Sequence, residues 1–175
     1  MNYQIILKKT SDLLQNEVKA IIELKQQYWP YSMIEQKEWF DTNIKPDDYH
    51  LLIWSNETLI AYLNAVKVEI RTETSLYRAL GIGNVCVSKT EAHRGIGSIM
   101  MACINSYIAS LNIFGVLLCK KELVPFYTNS NWQILETENV FIKEERFENI
   151  VMIYDAKRRI DFRDKSNEIH LSRSF

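Results

Sequence analysis

The chain has 175 residues, 47% of them apolar and 25% charged, with a formal net charge of −1. That size and balance suit one domain that buries its own core without disulfides or metal. The near-neutral charge lacks the basic footprint of a nucleic-acid binder, and no apolar run reaches the ~20 residues of a membrane span. Met1-Asn2-Tyr3-Gln4 has neither the basic nor the apolar region of a secretion signal. Cys86, Cys103 and Cys119 are odd in number, sit in apolar segments and show no Cys-x-x-Cys spacing. They read as reduced core thiols, and the expectation is a cytoplasmic protein without a metal site.

Tyr3 to Lys8 is a short first strand. Thr10-Ser11-Asp12 offers N-cap residues for a helix carrying Leu14, Val18, Ile21 and Ile22 and running to about Trp29, where Pro30 stops it. A second helix spans Ser32 to about Phe40, before the loop Lys45-Pro46-Asp47-Asp48. Tyr28, Trp29, Tyr31, Trp39 and Phe40 make this region dense in aromatics, and two readings stay open for them, helix packing or the wall of a binding pocket. Tyr49–Ser55 and Thr58–Arg71 form a hairpin turning at Asn56-Glu57. Leu76 to Ser88 is the next strand, and Gly81 and Gly83 inside it predict a bulge or a close backbone approach.

The stretch from Val85 to Met101 runs from a β-branched strand through a polar loop with two glycines into a helix. In that helix Ile96, Ile99, Met100, Cys103, Ile104, Tyr107, Ile108 and Leu111 recur at helical spacing, predicting one buried face. Ile113 to Cys119 is a continuous apolar run, as buried parallel strands are, so the order strand–helix–strand implies a right-handed crossover. Glu122 to Asn129 suits a short helix with Pro125 in its first turn. Trp132–Glu136 and Asn149–Asp155 read as a closing antiparallel pair, with one short strand and a charged connection between them. Residues 157–175 are a charged tail, including the basic cluster Lys157-Arg158-Arg159, and take no assignment.

A strand that enters a helix through a glycine-spaced turn is a device for holding phosphate, because the first helical N–H groups lack partners and the helix dipole favours an anion. No Gly-Lys pair exists, so the nucleotide-triphosphate loop is excluded. The dinucleotide fingerprint would put its third glycine at Met100, where a bulky side chain opposes close helix–strand packing. Val85-x-Val87 followed by Ala92-His93-Arg94-Gly95-Ile96-Gly97 resembles the acyl-coenzyme A loop of the GCN5-related N-acetyltransferase (GNAT) superfamily. Ala92 stands where that family has Arg or Gln. Phe126-Tyr127, a few residues before Trp132, resembles its second motif, with Asn131 in place of a glycine. Val124-Pro125-Phe126-Tyr127 is similar to the branch that contains some aminoglycoside N-acetyltransferases. An ordinary strand-to-helix turn, with glycines for packing, is the plain alternative for the loop.

The resemblance implies an α/β (α+β) single-domain fold over residues 1–156, with a mixed, mostly antiparallel sheet of about seven strands, a central splayed parallel pair and about four helices. It implies acetyl-coenzyme A (acetyl-CoA) as co-substrate and a direct transfer of the acetyl group to a small-molecule amine. It leaves room for a homodimer and calls for no membrane or nucleic-acid partner. On the family's pattern Val85, Cys86, Val87, Ala92, His93, Arg94, Gly95, Ile96, Gly97 and Ser98 bind the cofactor, and Tyr127 is the general acid. Glu69 is the first choice for general base, ahead of Glu35 and His50. Two other functions stay open: a non-catalytic acyl-CoA-binding regulatory module, and an acetyltransferase of protein amines or aminoacyl-tRNA.

Overall fold

The computed structural model describes residues 2–135, 139–157 and 168–175. It begins with β1 (Tyr3–Lys9), a 3-10 turn (Thr10–Asp12), α1 (Gln15–Gln26), α2 (Met33–Asn43), β2 (Tyr49–Ser55), β3 (Thr58–Arg71) and β4 (Leu76–Val87). A 3-10 turn (Lys89–Glu91), α3 (Ile96–Leu111), β5 (Phe114–Cys119), a 3-10 turn (Lys121–Leu123) and α4 (Val124–Thr128) follow. The chain closes with β6 (Gln133–Ile134), β7 (Val140–Ile142), β8 (Glu145–Arg146), β9 (Ile150–Tyr154) and β10 (Ile169–Leu171). Hydrogen bonds link the strands in the order β6-β9-β5-β4-β3-β10-β7-β8, with β2 also on β3 and β1 on β2. The mixed sheet and four α-helices are those expected. Among the described residues the strands number ten, against the expected seven or so, with β7, β8 and β10 short strands late in the chain. None of the described helices is long and apolar enough to cross a membrane.

The described residues fall into two compact units, one of 2–66, 83–101 and 175, the other of 67–82, 102–135, 139–157 and 168–174. In the first, β1, β2 and β3 pair antiparallel, and the β2–β3 turn is made by Asn56 at φ 53°. The anticipated caps Thr10 to Asp12 form a 3-10 turn instead, and α1 starts later because Leu13 and Leu14 are extended. Glu17 then supplies the cap: its Oε2 accepts the N–H of Leu14 at 2.8 Å while Lys8 pairs with the same carboxylate at 2.9 Å. Ser32 caps α2 and Glu35 answers it in a reciprocal capping box. Ile21, Leu24, Leu52, Leu59, Tyr62 and Cys86 pack as the core beneath α1.

In the second unit β4 and β5 run parallel, from Ala79↔Phe114 to Ile82↔Leu117. Gly115 of β5 makes room for Trp132, since a Cβ there would lie 2.6 Å from the indole and 2.9 Å from Ile108. The buried indole N–H donates to Asn105 Oδ1 (2.9 Å), and Asn105 Nδ2 donates to the Ser130 carbonyl (2.8 Å). β9 pairs antiparallel with both β5 and β6. β7 and β8 form a hairpin through Lys143 and Glu144, both at positive φ. The tail does not stay outside the sheet: β10 pairs antiparallel with β3 and parallel with β7. Arg158 and Arg159 of the basic cluster, and Glu136 at the predicted end of β6, lie outside the described residues.

The buried face of α3 is not quite the one read from spacing. Ile99 and Leu111 are exposed, and Met101 and Asn105 are buried beside Ile96, Met100, Ile104 and Ile108.

Candidate active site

In the first unit the exit of β4 is tied down by main-chain and side-chain bonds. The Tyr28 hydroxyl donates to the Val87 carbonyl, the Ser88 N–H to the Ile60 carbonyl (2.7 Å) and the Lys89 N–H to Gln27 Oε1 (2.9 Å). Of the two β4 outcomes expected at Gly81 and Gly83, a close backbone approach is present at Gly83, where a Cβ would lie 2.7 Å from the Phe175 carbonyl carbon, and the next residue, Asn84, adopts φ 50° and donates from Nδ2 to Asn64 Oδ1 (2.8 Å). Beyond the strand, Ser88 and Thr90 join their hydroxyls (3.0 Å), and Arg94 donates to Glu91 Oε2 (2.8 Å). His93 (φ 63°) and Gly95 (φ 79°) both turn through the left-handed region, so the chain reverses and enters α3. The first α3 bond runs from the Ile99 N–H to the Gly95 carbonyl (3.1 Å). The amides of Ile96, Gly97 and Ser98 therefore precede it, without an intrahelical acceptor. His93, Arg94, Gly95 and Ser98 are exposed, Ala92 and Gly97 half-buried, and Ile96 anchors the turn in the core. A Cβ on Gly95 would meet nothing within 4 Å, so the loop's outer side is open. Exposed amides, a positive helix end and a clear approach fit a pyrophosphate.

Cys86 points into the core beneath α1, and burial pushes its thiol up to about 12, against a smaller opposing pull from Lys25. A neutral buried thiol is no nucleophile. Lys25 itself is held down to about 8, by burial, with its ammonium 4.1 Å from the centre of the Trp39 ring.

In the second unit Tyr127 is buried in α4, with the Phe126 ring 5.0 Å away at an edge-on angle. Its carbonyl accepts the N–H groups of Ser130 (2.9 Å) and Trp132 (3.1 Å), closing the short helix with Asn131 at φ 66°. That conformation is the one a glycine adopts freely, and Asn tolerates it. Among the described residues the Tyr127 hydroxyl has no hydrogen-bond partner. Burial, reinforced by Cys119, raises its pKa above the usual phenol range, so it stays protonated at neutral pH.

The three base choices lie in different settings. Glu69 is exposed on β3, where a cavity of about 280 Å³ also takes in Arg71, Glu144 and His170. Its N–H and carbonyl are held by Ser172 at 3.0 and 3.1 Å. The Glu35 carboxylate is held below its usual range by the Ser32 hydroxyl and N–H, which suits a cap and not a base. His50 is fully buried, its Nδ1 2.9 Å from the Tyr62 hydroxyl and its Nε2 2.8 Å from Thr10 Oγ1. Stacked between Phe40 and Tyr62, it is pushed down to about 4, mainly by burial and then by Lys25. This network escaped the sequence reading, because nothing in the spacing of Thr10, His50 and Tyr62 brings them together.

Residues 10–135 match the acetyltransferase (GNAT) domain model. The chain belongs to the GNAT family, and is accordingly an acyl-CoA-dependent N-acetyltransferase with acetyl-CoA as co-substrate. No curated protein matches the sequence significantly. Solved structures share the fold. An acyl-CoA N-acyltransferase from Pseudomonas aeruginosa is 21% identical with a TM-score of 0.65, over 87% of this chain and 99% of that one. Escherichia coli ElaA is 19% identical with a TM-score of 0.63, over 88% and 100%. An aminoglycoside 6'-N-acetyltransferase complexed with coenzyme A is 12% identical with a TM-score of 0.65, over 89% and 99%.

Proposed function

We propose that the acceptor is a primary amine of a small molecule, and that it attacks the thioester directly while both substrates are bound. The observation that carries the direct transfer is the hydroxyl of buried, protonated Tyr127, which has no hydrogen-bond partner among the described residues. Tyr127 donates that proton to the sulfur as the acyl C–N bond forms and the C–S bond breaks. The main chain at Cys86 and Val87 lines the pantetheine arm, which needs no reactive side chain there. The amides from Ala92 to Ser98 hold the pyrophosphate, with the Ser98 hydroxyl as a further donor and Arg94 kept close to the loop by Glu91. Glu69 is the carboxylate assigned to take the amine proton, a role its exposure on β3 allows. The net charge of −1 favours a small acceptor over a polyanion such as tRNA.

Two measurements test the reading. Acetyl-CoA raises the melting temperature, because it binds the native state alone. Free thiol then appears when a panel of aminoglycosides, amino sugars, polyamines and amino acids is added, and not with peptides or aminoacyl-tRNA. A melting shift with no thiol from any acceptor would point to the regulatory module. Thiol release with peptides or RNA alone would replace the acceptor class.

A further inference from the structure

Within the first unit the end of α1 grips the exit of β4 through two consecutive side chains. Tyr28 donates its hydroxyl to the Val87 carbonyl, and Gln27 Oε1 accepts the Lys89 N–H at 2.9 Å. The Lys89 ammonium adds a third tie, 5.7 Å from the centre of the Tyr28 ring. Between the two grips the Ser88 N–H is spent on the Ile60 carbonyl of β3 (2.7 Å). In a trans peptide the C=O and N–H point to opposite sides, so the Val87 carbonyl faces away from β3. The β4–β5 pairing runs only from Ala79 to Ile82, so at Val87 that edge has no β5 partner. An open edge of extended main chain is a template for a strand-like ligand. Val87 is the last residue of β4, and its carbonyl is the one that Tyr28 takes. Gln27 and Tyr28 are themselves placed by the end of α1, their N–H groups donating to the carbonyls of Leu24 (3.2 Å) and Lys25 (3.0 Å). Leu24 in turn packs with Ile21, Tyr62 and Cys86 in the core. Both gripping side chains are exposed, Tyr28 by 44%, so the core does not need them.

We propose that Tyr28 is a positioning residue for the cofactor. By holding the Val87 carbonyl it fixes the Val87–Ser88 peptide, and with it the open edge of β4, in the form along which the pantetheine arm of acetyl-CoA lies. Gln27 does the same for Lys89, where the chain leaves the strand for the phosphate loop. Neither side chain is assigned a chemical step. The proposal rests on the reading above that the main chain at Val87 lines the arm. On the same reading the amides from Ala92 to Ser98 hold the pyrophosphate, and they come after the gripped residues, so the grip serves the arm and not the nucleotide. An edge ordered before the ligand arrives spares the ligand the cost of ordering it, and affinity gains accordingly.

The test sets coenzyme A against its pantetheine-free half, 3′-phosphoadenosine 5′-diphosphate, by isothermal titration of the full chain. Tyr28→Phe raises Kd about five- to tenfold for coenzyme A and leaves the nucleotide within about twofold, with the melting temperature of the free protein close to wild type. The KM for acetyl-CoA rises in step while kcat holds, since the loss falls on binding. Should Tyr28→Phe fail to fold, Gln27→Ala frees the Lys89 N–H, and the same split is expected. Equal losses for both ligands, no loss for either, or tighter binding of coenzyme A overturns the proposal. The wild type tests the underlying reading by itself. If coenzyme A binds it no tighter than the nucleotide, the arm gains nothing from the chain, and reading and proposal fall together. If coenzyme A binds tighter and Tyr28→Phe preserves that margin, the proposal alone fails.

Discussion

Two buried tyrosines, Tyr62 of β3 in the first unit and Tyr127 of α4 in the second, differ in what meets the hydroxyl. Burial raises the pKa of both phenols. Tyr62 is bonded to His50, which is bonded in turn to Thr10, and the rings of Phe40, His50 and Tyr62 stack face to face. Tyr127 packs edge-on against Phe126 and keeps its hydroxyl unspent. A satisfied hydroxyl stabilises the fold, whereas an unsatisfied one is available to a reaction. Burial alone therefore does not separate a tyrosine whose hydroxyl is engaged from one whose hydroxyl is not.

Removing the two hydroxyls in turn tests that contrast most sharply at Tyr127. Tyr127→Phe lowers kcat by about 10²–10⁴-fold while acetyl-CoA affinity and melting temperature stay close to wild type. Steady-state kinetics with isothermal titration would check this, and a kcat within a few-fold would return Tyr127 to packing. The next effect is a pH dependence set by His50. Its folded value of about 4 lies below the unfolded 6.5, so the unfolded chain takes up the proton first as pH falls. The stabilisation is complete above pH 6.5 and lost on the way to pH 4, up to about 3 kcal/mol in all. Urea titrations across that window should show the slope in the wild type and lose it in His50→Gln. Smallest is Tyr62→Phe, which leaves His50 Nδ1 without its partner and costs about 1–3 kcal/mol of stability. Denaturation would show the loss, with kcat unchanged. A Tyr62→Phe enzyme as slow as Tyr127→Phe would erase the distinction between them.

The parts of this molecule that could be read from sequence are those fixed by local chemistry. The Asn56-Glu57 turn, the helix start at Ser32 and the strand–loop–helix from Val85 to Met101 each carry their signal within a few residues, and the structure has them in place. The family followed from that loop and Phe126-Tyr127. Side-chain burial on α3 was less legible. Helical spacing cannot say that Asn105 turns inward to receive the Trp132 indole while Ile99 stays outside. The close backbone approach read from the strand glycines is present at Gly83, where a Cβ would stand 2.7 Å from the Phe175 main chain, but nothing signalled that Asn84 would turn left-handed, held by an amide twenty positions away. Nor does any pattern near Ile169 announce β10, whose hydrogen bonds are made with residues far back in the chain.

That last strand bears on how the protein is made. Leu171 pairs with Ile70, so about 100 residues leave the ribosome between the two partners, about 5–20 s at ordinary elongation rates. For that interval the end of β3 offers unpaired main chain to any passing strand. Lys67, Glu69 and Arg71 are exposed along this stretch, alternating with the buried Val68 and Ile70. Charges spaced in this way deter intermolecular strand addition. They guard the nascent chain until β10 arrives.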